Sequence, residues 1–325
     1  MKSLWASAAS GYLTGLRKGD ARRYGIRVFY YHGLVKRRAD PVLERNFSLI
    51  SDFQEHIRLM RKFRIVSLAE LADDLSNKRQ FKTATVLTFD DGYANNLVAA
   101  EILSAARIPW SLFIATGAIG PQAVTWPEEL SLLILHGQAK GVEALGRMWP
   151  VTNREERQAT FRGILIHMKT MAATQRRETL TQIRRQFPAG ESQRLLNEFP
   201  SLRMLTWDEV RQLASADTEI CSHGVYHEIH HNQQPAAVRR EELRDSKTEI
   251  EKRLGRSCDF FAFPNGDFRA SSAQEVADAG FKLAFTTEQK TIMPGANPFL
   301  LPRFDPNYSV SFQSFTRNFF WENGG

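Results

Sequence analysis

Apolar positions along the chain follow two periods. Three short runs of β-branched and aromatic residues, "IRVFYYH" at Ile26 to His32, "ATVLTF" at Ala84 to Phe89 and "WSLFIAT" at Trp110 to Thr116, predict buried strands. Between them the spacing changes to three and four. Phe53, Ile57, Met60 and Phe63 share one helical face, Ser67 and Glu70 form a capping pair in "SLAELADDL", and Leu97, Ile102 and Leu103 mark a further helix. After residue 205 the same rhythm returns. A helix opens at the Thr206 and Glu209 capping pair, "TEICSH" is a strand ending at His223, and a long helix ends at Gly255. "DFFAFPNG" and "FKLAFTT" are strands around a helix that ends at Gly280, and "FLLPRF" reads as the last strand. Strands alternating with helices about seven or eight times predict an α/β fold, a complete or distorted (β/α) barrel of seven to eight units.

One segment breaks this rhythm. From about Pro121 to Pro200 no convincing strand is found, while Phe161, Ile164, Leu165, Met168 and Met171, then Leu180, Ile183 and Phe187, recur at helical intervals. Residues 151–200 hold nine Lys or Arg against five Glu and no Asp. The reading is a helical insertion over about 121–205 with a basic outer face. The domain plan is then an N-terminal extension at 1–25, the barrel at 26–310 with its insertion, and a tail at 311–325.

Composition narrows the function classes. At 325 residues, 42% hydrophobic and 24% charged, the chain has an ordinary globular balance and enough length for a large core. Its net charge of +7 is spread thinly and forms no basic arm, which argues against a nucleic-acid partner and leaves peripheral membrane contact open. Cys221 and Cys258 make no metal-type pair and no disulfide framework. The N-terminal "MKSLWASAASGYLTGLRKG" is too short and polar in its apolar part for a good signal peptide, and no segment is apolar for long enough to span a bilayer. A cytoplasmic location is expected, with membrane association open; the oligomeric state is not legible.

Barrel enzymes carry their chemistry at the C-terminal ends of strands. Here those ends hold His32, the adjacent Asp90 and Asp91, His223, and Pro264-Asn265-Gly266. Two neighbouring carboxylates repel each other, so either they form an ordinary Asp-Asp-Gly turn or something positive sits close by. His223 and His227 have HxxxH spacing, which on a helical turn puts two imidazoles on one face, as suits two ligands of one metal ion. Together with Asp91 they form a two-histidine, one-carboxylate set that leaves coordination positions open for catalysis. His230 and His231 extend the cluster, with a solvated loop as the plainer reading.

In order along the chain, "LTFDDGY", "SHGVYH" and "FAFPNG" resemble the first three motifs of the polysaccharide deacetylase family, the NodB-homology or carbohydrate esterase 4 family. "FYYHG" resembles the Tyr-His strand of the branch that includes poly-N-acetylglucosamine deacetylases, and the likeness runs from about Ile26 to Arg303. It implies a distorted (β/α) barrel of NodB type that removes acetyl groups from sugars with a divalent metal, Zn2+ being the best fit. It also implies roles: Asp90 as general base, and Asp91, His223 and His227 as metal ligands. The Pro264–Asn265 loop would give the oxyanion a backbone N–H at Asn265, and Tyr93 stands beside the aspartates as a further substrate-side candidate.

Three departures from the family pattern matter. No histidine follows His231 to supply the family's C-terminal Leu-x-His acid, which leaves His32 as the candidate acid or as a structural histidine beneath the site. Gly224 stands where many members have Ser or Thr. The third motif has no Arg to pair with the base, so Arg303 in "LPRF" is the candidate, against an ordinary surface role. The expected function is metal-dependent removal of an N-acetyl group from an acetamido-sugar in a glycan or lipid-linked precursor. The alternative is a catalytically weak or inactive glycan-binding protein on the same fold. A glycoside hydrolase needs two carboxylates flanking a sugar bond, which Asp90 and Asp91 supply poorly. Trp126, at the start of the insertion, is a residue for sugar stacking or for packing.

Overall fold

Parallel strands curl around one interior in a computed structural model that describes residues 25–76, 83–216 and 218–308. The extension expected at 1–25, apart from Gly25, and the tail expected at 311–325 lie outside the described residues. In chain order, β1 (Ile26–Tyr31) is followed by the two-residue β2 (Leu34–Val35), β3 (Ser48–Leu49) and β4 (Arg64–Ile65), then by β5 (Ala84–Phe89) and β6 (Ser111–Ile114). A hairpin of β7 (Gly141–Ala144) and β8 (Arg147–Pro150) stands apart, and β9 (Glu219–Ser222), β10 (Phe260–Ala262) and β11 (Leu283–Phe285) complete the set. The main sheet runs β1-β5-β6-β9-β10-β11, with β4 beside β5, and each of its pairings is parallel.

"FLLPRF" closes the ring without forming a regular strand. Leu301 N–H donates to Ala284 O at 2.8 Å on one side, and Phe304 N–H donates to Val28 O at 2.8 Å on the other. Pro302 lies between these two bridges and has no N–H to add to a ladder, so the pairing is broken there. Arg303 N–H turns aside to Glu288 O at 3.1 Å.

Alternation along the strands sorts side chains between two cores. Ile26 and Val28 of β1, Ala84 and Val86 of β5, and Phe113 of β6 fill the barrel interior with Phe260, Leu283, Phe285 and Leu301. Their neighbours Phe29, Tyr31, Leu87, Phe89, Leu112 and Ile114 face the surrounding helices. Those helices include α1 (Ile50–Met60), α2 (Leu68–Ser76) and α3 (Asn96–Ala106). Both predicted capping pairs form: Glu70 N–H donates to Ser67 Oγ at 3.1 Å, and Thr206 with Glu209 makes a reciprocal box. Cys221 and Cys258 are buried free thiols.

The insertion is helical, with α4 (Trp126–His136), α5 (Arg154–Lys169), α6 (Ala173–Arg184) and α7 (Glu191–Glu198). The expectation of no strand there is corrected by the β7–β8 hairpin. Its turn residues Leu145 and Gly146 both have positive φ, 57° and 73°, as a type I′ turn needs. A leucine in a place where Asn or Asp is usual hides the signal. The basic outer face also needs correcting in part. Arg176 is buried, and Arg157 turns inward to donate to the carbonyls of Ile134, Gly137 and Ala139. After the insertion come α8 (Trp207–Ser215), α9 (Ala236–Leu254) and α10 (Ser272–Asp278). No helix among the described residues is long and apolar enough to cross a membrane.

Phe113 is fully buried inside the barrel, edge-on to Phe285 with ring centroids 5.7 Å apart. Phe113→Ala is expected to cost about 3–5 kcal/mol, read as a lower urea midpoint at an unchanged denaturant slope.

Candidate active site

The β5 end answers how two adjacent carboxylates come to serve one site. Asp90 continues the interior register of Ala84, Val86 and Thr88, and its N–H extends the ladder to Tyr31 O at 2.8 Å. The chain then turns within three residues: Gly92 N–H donates to Asp90 O at 3.0 Å, and Asp91 in the middle has φ 74°. This is the rare, strained form of γ-turn, and it swings Asp91 out of strand alternation without burying its side chain elsewhere. Gly92 follows at φ 93°. Both carboxylates end up buried at the barrel mouth, 2% and 4% exposed, facing different partners.

Asp90 faces Arg303. The guanidinium donates Nη1 to Oδ1 at 2.8 Å and Nη2 to Oδ2 at 2.7 Å, a bidentate pair. Its Nε donates to Thr286 O at 3.1 Å, and Tyr30 and Phe113 flank it at 4.6 and 5.5 Å. Arg303 is 0% exposed. Burial pushes the Asp90 carboxyl up, but Arg303 above all, with His223 and His32, holds it below its ordinary value. Asp90 is therefore ionised at neutral pH.

Asp91 faces the histidines. Its Oδ1 lies 3.4 Å from His223 Nε2 and 3.3 Å from His227 Nε2, and the three ligand atoms fall within 4.8 Å of one another. His223 Nδ1 sits 2.8 Å from Ala262 O, a contact that fixes the proton on Nδ1 and turns the Nε2 lone pair toward Asp91. Burial keeps His223 neutral, with its pKa down to about 4. Burial works against charge on His227 as well, but Asp91 raises its pKa. Burial likewise pushes Asp91 up, yet His227, His32 and His223 hold it well below the usual range. Asp91 Oδ1 is buried without a hydrogen bond. A buried anionic oxygen with two imidazole nitrogens aimed at it fits a divalent cation.

The expected helical turn for HxxxH is not present. His223 follows β9, and the chain to His227 is irregular, with Gly224 at φ 82° and His227 at φ 57°. A helix would need negative φ throughout; the two rings meet because the loop curls back, 4.9 Å between centroids.

The remaining candidates are spread around this centre. His32 is half-buried beside β1, and its Nδ1 is buried with no hydrogen-bond partner. Asn265 is exposed on the loop after β10 with φ 61°, next to buried Pro264. Its side chain is held between Lys169 of the insertion and Asp267. Tyr93 lies in the core, edge-on to Phe47 at 4.8 Å, with its hydroxyl bonded to Glu128; burial and then that carboxylate raise its pKa well above 10. Trp126 packs rather than projects, its Nε1 donating to His227 O at 3.2 Å. His230 and His231 stand outside the ligand group. His230 is fully buried against Phe261 and Phe263, whereas His231 Nε2 lies 3.0 Å from Met171 O of the insertion.

The family model for polysaccharide deacetylases matches residues 77–284. The chain belongs to the polysaccharide deacetylase family. This chain is a carbohydrate deacetylase that acts on a carbon–nitrogen amide bond. Solved structures with the same fold include the Streptococcus pyogenes deacetylase PplD in complex with acetate, at 17% identity and TM-score 0.59, covering 91% of this chain and 98% of that one. IcaB from Ammonifex degensii aligns at 16% identity and TM-score 0.57, covering 90% of this chain and 95% of that one. A de-N-acetylase from Aggregatibacter actinomycetemcomitans aligns at 15% and 0.52, covering 90% and 99%. No curated protein matches the deacetylase in sequence.

Two residues around the deacetylase's site escaped the sequence reading. Lys169 reaches Asn265 from the far end of α5, and Glu242 on α9 binds the histidine loop. Neither lies in a motif; each is one charged residue among many on a helix.

Two variants test this description. Arg303→Met leaves a buried carboxylate without its cation and is expected to cost about 3–5 kcal/mol at pH 7 in denaturant unfolding. Asp90's pKa is depressed in the fold, so its stabilisation is present above about pH 4 and is lost below it; the gap between wild type and variant should close in acid. His230 behaves in the opposite sense of charge. Burial holds its pKa down to about 3, so the unfolded chain gains a proton below about pH 6.5 that the folded chain refuses. His230→Leu should flatten the loss of stability between those two pH values.

Proposed function

We propose that the protein is a metal-dependent N-deacetylase that acts on an acetamido-sugar in a glycan or a lipid-linked glycan precursor. The observation that carries this reading is the convergence of Asp91, His223 and His227 beside an ionised Asp90 that Arg303 holds in place. Asp91 Oδ1 and the two Nε2 atoms are the ligands assigned to the metal. A divalent ion there, with Zn2+ suited to two imidazoles and a carboxylate, supplies Lewis acidity toward the acetyl carbonyl and the attacking water.

The chain's own residues do the rest. Each Asp90 oxygen accepts one bond from Arg303 and keeps lone-pair capacity, so Asp90 takes the proton of the attacking water. Arg303 fixes the carboxylate's direction and keeps it ionised, at some loss of basicity. The Asn265 N–H is the backbone donor assigned to the developing oxyanion, on the loop that Pro264 begins. His32 is the proposed donor to the leaving amine; its unpartnered Nδ1 at the mouth supports this. Tyr93, in the core with its hydroxyl on Glu128, is assigned packing behind the aspartates and no substrate contact. Arg303 also bears on the alternative of a vestigial site, because the cation missing from the third motif reaches Asp90 from the segment that closes the ring.

Stripping the metal with a chelator should abolish acetate release from a panel of acetamido-sugars, lipid-linked ones included, and Zn2+ should restore it. Asp90→Asn should lower release by about 10²–10⁴-fold while the protein still binds Zn2+. Acetate release undiminished by either change would rule the mechanism out.

A further inference from the structure

The loop that carries both histidines has no regular structure of its own, and it holds His227 in the left-handed region at φ 57°. Such a conformation persists only where the surroundings over-determine it. The surroundings here are α9. Glu242, 4% exposed, accepts Val225 N–H at 2.8 Å and Tyr226 N–H at 3.0 Å on the same oxygen, Oε2. Two successive backbone N–H groups thus converge on one carboxyl oxygen.

Gly224 is the other half of this arrangement. It has φ 82°, and a Cβ there would stand 2.6 Å from Glu242 Oε2, so a side chain at 224 and the carboxylate compete for one place. One turn further along α9, Ser246 meets Ser222 with the two Oγ atoms 2.6 Å apart, and Ser222 Oγ accepts Gly224 N–H at 3.2 Å. The carbonyls of the same loop are held from the other side: Thr116 N–H donates to Gly224 O at 3.0 Å and Gly117 N–H to Val225 O at 2.8 Å.

We infer that Glu242 is the positioning residue that sets the spacing of His223 and His227, and that glycine at 224 is required by that carboxylate as well as by its own backbone angle. Glu242 acts through the loop and touches no substrate. The inference rests on the reading of the two histidines as metal ligands.

The test is Zn2+ affinity, by competition with a chelator, for the full-length protein and four variants. Glu242→Ala should weaken binding about 10–100-fold. Glu242→Gln, whose amide oxygen can accept both N–H groups, should keep most of the affinity. Gly224→Ala should weaken binding as well, and the double variant Gly224→Ala/Glu242→Ala should lose less than the two single losses combined, since the carboxylate contact is lost only once and the backbone cost at φ 82° is all that Gly224→Ala then adds. Hydrogen exchange over residues 222–231, measured without metal, should speed up in Glu242→Ala and not in Glu242→Gln. Wild-type affinity in Glu242→Ala, additive losses in the double variant, or unchanged exchange would overturn the inference. Failure of the wild-type protein to bind Zn2+ would instead sink the ligand reading, and the exchange comparison would still decide whether Glu242 holds the loop.

Discussion

A carboxylate taken out of water needs a cation taken out of water with it, and the Asp90–Arg303 pair is that bargain at the barrel mouth. Arg303 belongs to the segment that closes the ring between β11 and β1. Closure and the pairing of Asp90 with its cation are thus one event. Until residues 301–304 dock, the barrel is open and Asp90 has no partner. Once they dock, Thr286 O, Thr88 Oγ1 and the rings of Tyr30 and Phe113 leave the guanidinium one place to lie. Pro302 contributes by breaking the ladder where a regular strand would have continued.

Strain collects at this same end. Asp91, His227 and Asn265 are three of the five non-glycine residues with positive φ among those described, and each stands on a different loop at the mouth. Each departure aims a group that regular structure would have aimed elsewhere. The γ-turn at Asp91 separates two carboxylates that adjacency would have set in conflict, and the curled loop at His227 brings two imidazoles together without a helix. Backbone held this way costs of order 1–3 kcal/mol per residue, which the packed barrel below must offset.

The insertion buttresses these loops rather than standing off as a separate lobe. Trp126 bonds to the His227 carbonyl, Arg176 pairs with Glu228, Met171 O meets His231, and Lys169 grips Asn265. Two of the mouth's three strained loops therefore lean on it. Arg176 points inward for this reason, because a helical layer pressed on polar loops leaves carboxylates that need donors, whereas Arg157 serves carbonyls within the insertion itself.

Much was legible in the sequence, for local reasons. Period-two and period-three patterns survive in single windows, so the βα rhythm, both capping pairs and the strand-end motifs could be read directly. The clustering of Asp91, His223 and His227 was legible because all three sit in tight motifs with strong residue preferences. Other features depend on contacts far apart in sequence. Arg303 lies more than two hundred residues from Asp90, and only barrel closure makes them neighbours. The β7–β8 turn hid behind Leu145, the HxxxH spacing suggested a helix where the chain forms a loop, and Glu242 looked like any other charge on an amphipathic face. The sequence by itself determined the elements and the chemistry available at their ends. Tertiary structure decided which distant charge meets which buried one, because that choice depends on where water is excluded.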